Sequence, residues 1–136
     1  MSENQPPKRK EFQAISIDGV DAETVANLDA EAIVSNNHLV ELLTPRAKVK
    51  ILVALIRLQG EKLSPSGICD RAAISTHTWY EHYEALLQYG AIEKAGSAGN
   101  SPLYRANMDN QIIHSLEEII SHGAKKKQEW KTESSD

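Results

Sequence analysis

A run of hydrogen-bonding side chains beginning at Ser75 carries the most specific chemistry in the sequence. Hydroxyl, imidazole and carboxylate groups recur there, with no lysine or arginine among them. Such groups can donate to or accept from nucleic-acid base edges, and a helix that presents them near its N-terminus can enter the major groove. The alternative is that they are ordinary solvated residues on a packing helix. The residues are Ser75, Thr76, His77, Thr78, Tyr80 and Glu81.

A second set of residues could contact phosphates rather than bases. Ser64 and Ser66 stand where a helix would begin. Their first role is to start that helix, but its N-terminus also offers free N–H groups to a phosphate. Arg46 lies near another helix start, and Lys94 and Arg105 flank a glycine-rich loop. We expect these residues to supply phosphate contacts.

Other reactive residue types form no recognisable site. Cys69 is the single cysteine, which excludes an internal disulfide and a zinc site built on paired cysteines, and we expect it to be buried. His77 and His82 are five apart and should not share a helix face, so a metal site could arise only between chains. No catalytic motif is present. We expect neither an enzyme nor a bound cofactor.

Two short predicted helices would position these side chains. The first covers residues 64–72, with Ser64 as its cap and Pro65 in the first helical position. The second covers residues 75–89 and ends at Gly90. The tight turn between them makes a helix-turn-helix. The inner face of the second helix should carry Trp79, Tyr83, Leu86 and Tyr89.

The flanking elements predict a mainly α-helical fold with a small β-hairpin, an α+β arrangement around the helix-turn-helix. A helix should begin with Thr44 as its cap and Pro45 in the first helical position, and a short edge strand should follow at residues 61–63. Residues 91–95 and 102–106 should form a hairpin around a loop at 96–101. Asn107 or Asp109 should cap a last helix that Gly123 ends.

The sequence predicts five segments. Residues 1–11 lack core-forming side chains and should be a disordered arm. Residues 12–43 should form an extension with a strand at 12–17, a helix at 22–34 and a helix at 38–43 capped by Asn36 or Asn37. Residues 44–105 contain the helix-turn-helix and the hairpin. Residues 106–122 form a last helix that either covers its own domain or pairs with a second copy, and residues 123–136 are a mobile tail.

The formal net charge of −4 at pH 7 is unevenly distributed. Residues 1–43 carry −5, residues 44–105 carry +3 and residues 106–136 carry −2. The positive excess lies on the helix-turn-helix segment, which favours a polyanionic partner there. Lys48 and Lys50 should be divided between solvent and the backbone of that partner. The polar start lacks a signal-peptide centre and no run suits a bilayer, so we expect a cytoplasmic protein.

Three segments in this order resemble the winged helix-turn-helix transcription regulators of prokaryotes, archaea among them, of the broad ArsR-like and MarR-like kind. Residues 44–52, Thr-Pro-Arg-Ala-Lys-Val-Lys-Ile-Leu, look like the first helix of that family. Residues 74–92 look like the recognition helix and its exit into the wing. Residues 96–104 look like the wing hairpin, and the whole resemblance covers residues 37–122.

The resemblance implies a homodimer that binds double-stranded DNA in a sequence-specific manner. Residues 75–89 would lie in the major groove, and residues 91–105 on the backbone or in the minor groove. Flanking helices commonly dimerise in this family, and the last helix carries a stripe of large aliphatic residues, so the resemblance implies that residues 106–122 are a dimerisation helix. The candidate interface residues are Ile112, Ile113, Leu116, Ile119 and Ile120.

The sequence departs from the family pattern in two places. The recognition helix has no arginine or lysine, and carries Glu81 and Glu84 instead. The wing loop at residues 96–101 has no basic residue either. These departures favour a second interpretation, in which the winged helix is a protein-interaction module of a transcription or replication assembly. Salt-dependent binding to duplex DNA separates the two, because phosphate contacts release counterions.

Overall fold

The computed structural model describes residues 21–27 and 37–134. The chain divides into two compact units, Met1–Leu43 and Thr44–Asp136. The predicted arm at residues 1–11, the predicted strand at 12–17 and the second half of the predicted helix at 22–34 lie outside the described residues.

Within its described residues, 21–27 and 37–43, the first unit contains two short helices, α1 at Ala22–Ala26 and α2 at His38–Leu43. The Asp21 carboxylate accepts a hydrogen bond from the backbone N–H of Thr24 at 2.8 Å. This bond caps α1 and lowers the pKa of Asp21. α2 matches the predicted helix and its cap, since the side-chain oxygen of Asn37 accepts from the backbone N–H of Leu39 at 2.9 Å.

The second unit is a winged helix-turn-helix, mainly α-helical with one antiparallel hairpin. Leu63, in the predicted edge strand, forms an isolated bridge with Tyr104, through backbone hydrogen bonds of 2.9 and 2.8 Å. The predicted fold class is confirmed. The elements are α3 Arg46–Arg57, α4 Pro65–Ala72, α5 Thr76–Gln88, β1 Ile92–Ala98, β2 Ser101–Ala106 and α6 Gln111–Ser134.

Both helices of the helix-turn-helix are capped as predicted. Ser64 Oγ accepts from the backbone N–H of Gly67 at 3.2 Å, and a proline follows the cap. Ser75 Oγ accepts from the backbone N–H of Thr78 at 3.1 Å. Ala73 ends α4 in the left-handed conformation, with a φ of 58°, which costs a residue with a Cβ about 1–2 kcal/mol. This residue makes the tight turn between the helices.

α3 begins one residue later than predicted. Pro45 has an extended backbone, with φ −72° and ψ 175°, and is the N-cap rather than the first helical residue. Thr44 therefore precedes the cap instead of forming it. The Pro45 carbonyl accepts a bond from the backbone N–H of Lys48 at 2.9 Å. The helix ends as predicted before Gln59 and Gly60, which have φ values of 52° and 89°.

The core of the second unit is built from all four helices and the hairpin. Full burial of a large apolar side chain contributes about 1.5–3 kcal/mol. On α5, Trp79 and Leu86 are fully buried as predicted, whereas Tyr83 and Tyr89 are half-buried. Among the described residues, the largest fully buried side chains are Trp79, Ile51, Leu52, Leu55, Ile68, Leu86, Ile92 and Ile113.

The hairpin is longer than predicted. Residues 96–101, predicted to be a loop, are mostly strand, and only Gly99 and Asn100 form the turn. The pairing register shifts between Lys94 and Ser97. Gly96 lies inside this irregularity with a φ of 86°, a conformation that glycine adopts without steric cost. Pairing resumes beyond the bulge, so Gly96, which suggests a loop in the sequence, belongs to a strand.

α6 also extends further than predicted. Gly123 does not have a positive φ, and the segment predicted to be a mobile tail is helical as far as residue 134. One internal glycine costs a helix only about 1 kcal/mol, and the lysines that follow are good helix formers. Asn110, rather than Asn107 or Asp109, caps α6 by accepting from the backbone N–H of Ile112 at 2.8 Å. No described helix is long and apolar enough to cross a membrane.

Candidate nucleic-acid interface

The solvent-facing side of α5 carries the residues that are candidates for base reading, and most of these side chains are exposed. Thr76, His77, Tyr80 and Glu81 are exposed, and 81% of the His77 side chain and 52% of the Glu81 side chain are accessible. Thr78 is half-buried. The first two turns of α5 therefore present a contiguous polar surface.

Two hydroxyls of this segment hold the start of α5. Ser75 Oγ lies 2.9 Å from Thr78 Oγ1 and also accepts from the Thr78 backbone N–H. Because the two hydroxyls face each other, a base or phosphate would have to share them with the cap. In the first turn of α5, the side chains of Thr76 and His77 are more exposed than that of Thr78.

Glu81 lies between two imidazole rings. His77 Nε2 is 3.3 Å from Glu81 Oε2, and His82 Nε2 is 3.9 Å from Glu81 Oε1. Either contact becomes an ion pair only when the ring is protonated. The contact with His77 holds the carboxylate on the open face, where it can accept from cytosine N4.

An open hollow of about 310 Å³ lies beside the start of α5. Arg46 and Lys50 of α3 line it together with Ser75 and Thr78. Lys50 Nζ donates to the carbonyl oxygen of Ala73 at 3.4 Å, which anchors this side chain at the turn between α4 and α5. Two cations therefore flank a helix N-terminus, which itself carries partial positive charge.

Sequence reasoning identifies only part of this hollow. Arg46 is predicted as a phosphate contact from its place near a helix start, whereas Lys50 is expected only to be divided between solvent and the backbone of a polyanion. The contact of Lys50 with Ala73, 23 residues away, is not predicted. The available signal was the four-residue spacing of the two cations, which places them on one side of α3. Lys48, which is also predicted to contact the DNA backbone, is only 7% exposed. It is therefore not a candidate for phosphate binding.

Ser64 and Ser66 do not line this hollow. Ser64 is half-buried and its hydroxyl accepts from Gly67 in the α4 cap. Ser66 is exposed in the first turn of α4. The structure therefore gives Ser64 its capping role, and a phosphate contact from either serine stays a prediction.

Lys94 and Arg105 have different surroundings on the hairpin. Lys94 is exposed and lines an open hollow of about 510 Å³ with Gly96 and Asn100. Arg105 Nε donates across the strands to Glu93 Oε2 at 2.8 Å. Because the charge of Arg105 is partly neutralised by this pair, Lys94 is the stronger phosphate candidate.

Aromatic contacts join α5 to the hairpin. Trp79 stacks on Tyr83 with ring centroids 5.2 Å apart, and meets Tyr104 of β2 edge-on at 5.3 Å. Burial raises the pKa of Tyr104, and the nearby Tyr83 and Tyr80 add to the rise. Trp79 Nε1 is buried without a hydrogen-bond partner among the described residues. Ring packing therefore helps to hold the hairpin against α5.

Cys69 is a free, buried thiol, as predicted. Its Sγ lies 3.6 Å from the carbonyl oxygen of Ser75, and burial raises its pKa. His77 and His82, predicted not to share a face, both approach Glu81. Within residues 21–27 and 37–134, however, no group of three His, Cys, Asp or Glu side chains could hold a metal ion.

The predicted dimer-interface residues of α6 differ in exposure. Ile113 is fully buried within its own chain and so cannot face a partner, which corrects its assignment. It points into the core because it lies on the side of α6 that packs on the unit. Ile112, Leu116 and Ile120 are half-buried, and Ile119 is 62% exposed.

Solved structures with this fold include transcription regulators. The chain is similar to the AntR antimony-specific transcriptional repressor, with a TM-score of 0.51 and 15% identity, over 87% of this chain and 96% of that one. A possible transcriptional regulator from Methanosarcina mazei Go1 gives a TM-score of 0.45 and 11% identity, over 69% of this chain and 81% of that one. No protein-family model and no curated protein matches. At these identities the similarity concerns the fold alone.

Proposed function

We propose that this chain is a transcription regulator that binds double-stranded DNA, with α5 in the major groove and the hairpin on the backbone or in the minor groove. The hollow formed by Arg46, Lys50 and the start of α5 carries this proposal. Two cations beside a helix N-terminus attract a phosphate. A phosphate bound there would hold the first turn of α5 against base edges, and α3 would supply the positive charge that α5 lacks.

Base reading and phosphate binding then belong to different side chains. Exposed polar groups on α5 read bases, and cations on α3 and the hairpin bind the backbone. The base-reading residues are Thr76, His77, Tyr80 and Glu81, with Thr78 contributing through the cap. The phosphate-binding residues are Arg46, Lys50 and Lys94, with Arg105 limited by its ion pair.

We also propose that the protein acts as a homodimer in the cytoplasm. A two-fold symmetric dimer can place two recognition helices on half-sites one helical turn of DNA apart. Two large apolar side chains on α6 support this pairing, since Ile119 is 62% exposed and Trp130 is 60% exposed. A second copy of the chain would remove them from water.

A winged-helix protein-interaction module is the second candidate. One observation favours it, because Glu81 and Glu84 are exposed on a helix that has no lysine or arginine. In that case α5 would face a basic or hydrogen-bonding protein surface rather than DNA. Salt dependence distinguishes the two candidates, because DNA binding releases condensed counterions.

The experiment is fluorescence anisotropy with a labelled random duplex pool at several KCl concentrations. We expect the logarithm of affinity to fall linearly with the logarithm of salt concentration. Arg46→Gln with Lys50→Gln should weaken binding to every duplex and reduce the slope by about 2. The matched control, Arg57→Gln with Lys62→Gln, removes the same charge at exposed sites outside the hollow and should change neither quantity. Absent or salt-insensitive binding would overturn the proposal.

A further inference from the structure

Tyr80 places an aromatic ring on the solvent-facing side of α5. Within residues 44–106, all of which the structure describes, it is the one large hydrophobic residue that is exposed, at 55%. The aromatic residues around it are packed, since Trp79 is fully buried, Tyr104 is 7% exposed and Tyr83 is half-buried. The hydrogen bonds proposed above for base reading do not use this ring, so its contribution to DNA recognition needs its own account.

The ring lies close to the centre of the exposed side of α5. At 100° per residue, the exposed positions of this helix span an arc of about 140°, and Tyr80 and His77 lie about 30° on either side of its centre. An orientation of α5 in the major groove that brings His77 to base edges therefore brings Tyr80 to them as well. The exposed residues are Thr76, His77, Tyr80, Glu81, Glu84 and Gln88.

Contacts with the packed rings limit the directions that Tyr80 can take. Its ring meets Tyr83 edge-on, with ring centroids 5.7 Å apart and an angle of 88° between the planes. Tyr83 in turn stacks on the fully buried Trp79 at 5.2 Å and meets Tyr104 of β2 edge-on at 5.8 Å. Because these contacts already restrict the Tyr80 side chain, it loses less conformational entropy when it binds. The exposed ring is therefore a preorganised apolar contact surface.

The major groove offers one apolar group to such a ring. Guanine, adenine and cytosine present hydrogen-bond donors and acceptors there, whereas thymine presents an acceptor and its C5-methyl group. An apolar side chain that reaches base edges in this groove therefore distinguishes thymine from the other bases. A phosphate bound by the Tyr80 hydroxyl is the alternative contact, and it predicts no dependence of affinity on the thymine methyl group.

We propose that Tyr80 reads thymine in the preferred DNA site, with its ring packed against the C5-methyl group in the major groove. His77 and Glu81 then read hydrogen-bonding groups of other bases beside it. This inference rests on the proposed binding of DNA by α5. It adds one base that the hydrogen-bonding residues do not specify, and it gives a helix without lysine or arginine a source of preference that needs no positive charge.

Deoxyuridine tests this contact, because it differs from thymidine only by the missing C5-methyl group. A preferred duplex is selected from a random pool, each of its thymines is replaced in turn by deoxyuridine, and affinity is measured by fluorescence anisotropy. At one thymine position per recognition helix, we expect the replacement to lower the affinity of the wild-type protein about three- to fivefold, the effect of losing one buried methyl group. Replacement of the other thymines should change the affinity little.

Variants of the protein assign the methyl effect to the ring. Tyr80→Ala and Tyr80→Gln, which lack the ring, should bind the thymine and deoxyuridine duplexes equally well. Tyr80→Phe should retain the difference between the two duplexes, whereas loss of a hydroxyl bound to phosphate would weaken both to the same extent. The matched control is Gln88→Ala, on the same exposed side of α5, which should also retain the difference. Circular dichroism checks that each variant is folded.

The outcomes separate this inference from the proposed function. Absence of salt-dependent duplex binding overturns both. Duplex binding without a preferred site, or with a preferred site in which no deoxyuridine replacement lowers affinity, overturns thymine reading alone. A methyl effect that persists in Tyr80→Ala, or that is lost in Tyr80→Phe, also overturns it, because the contact then belongs to another residue or to the hydroxyl. A methyl effect in the wild type and Tyr80→Phe that is absent in Tyr80→Ala supports it.

Discussion

Glu93 and Arg105 face each other across the two strands of the hairpin, and Arg105 Nε donates to Glu93 Oε2 at 2.8 Å. The two side chains are 37% and 39% exposed, so the pair contributes only about 0–1 kcal/mol to stability. Its greater effect is electrostatic, because Glu93 partly neutralises one of the two hairpin cations that we propose contact DNA. The side chain of Lys94, the residue after Glu93 in β1, is exposed.

Removing the Glu93 carboxylate should therefore strengthen DNA binding. In Glu93→Gln, Arg105 is released for a phosphate, and we expect affinity for specific and random duplexes alike to rise roughly two- to fivefold, with a steeper salt slope. Lys94→Ala should have the opposite effect, and anisotropy titrations measure both. Glu61→Gln, an exposed carboxylate outside the hairpin strands, is the control. Unchanged affinity in both hairpin variants would mean that the wing does not contact DNA.

Base reading by α5 makes a different prediction, because it concerns preference rather than overall affinity. We expect His77→Ala or Glu81→Ala to cost about 1–3 kcal/mol on the preferred site and little on random DNA. Sites selected from a random duplex pool, followed by competition binding, provide the measurement. Gln88→Ala, at the exposed far end of α5, should change nothing. If Glu81→Ala instead tightens binding to every duplex, its carboxylate repels phosphate and does not read a base.

The helix-turn-helix could be predicted because its signals are local. Ser64 and Ser75 each cap a helix by accepting from a backbone N–H three residues later, so a short stretch of sequence contains both partners. The proline after Ser64 and the glycine after the second helix are local signals as well. Gly123 is also a local signal, but it wrongly predicts the end of the last helix. A helix that continues with good helix formers can tolerate one glycine.

Contacts between distant segments could not be predicted in this way. The hydrogen bond from Lys50 to the Ala73 carbonyl depends on how α3 crosses the turn between α4 and α5. The two residues are 23 positions apart in the sequence, so no local pattern predicts this bond. The neighbours Ile112 and Ile113 share one apolar stripe in the sequence, yet only Ile113 is fully buried. Which of the two faces the core is decided by the packing of α6, not by its periodicity.

Stability should decline at alkaline pH. Burial raises the pKa of the Cys69 thiol and of the Tyr104 phenol above ordinary values of about 8.5 and 10. Both groups therefore favour folding in their protonated forms. Their contribution is complete below the unfolded pKa values and is lost as pH rises through the raised folded values. The free energy of unfolding in urea should thus fall from about pH 8.5 upward.

Substitutions identify the groups responsible for this alkaline decline. Cys69→Ala with Tyr104→Phe should flatten it, because neither replacement can ionise. Tyr80→Phe is the matched control, since Tyr80 is 55% exposed. A decline that is unchanged in the double variant would assign the pH dependence to other groups.

Gly90 and Gly99 form a matched pair for measuring one close contact. Their φ values are 74° and 62°, so alanine carries a similar backbone strain of about 1–2 kcal/mol at each position. Only at Gly90 would the new Cβ meet another group, the Asn110 side-chain nitrogen at 2.8 Å. That amide donates to the Tyr89 carbonyl at 3.4 Å, and its oxygen caps α6. Gly90→Ala should therefore disturb the cap as well as the turn.

We expect Gly90→Ala to lower the free energy of unfolding by about 1 kcal/mol more than Gly99→Ala, the usual contribution of a helix cap. Urea unfolding followed by circular dichroism measures the difference. In an Asn110→Ala background the cap is already lost, so the two glycine substitutions should then cost the same. A difference that persists in that background would mean that the extra cost lies in the backbone at Gly90 and not in its contact with Asn110.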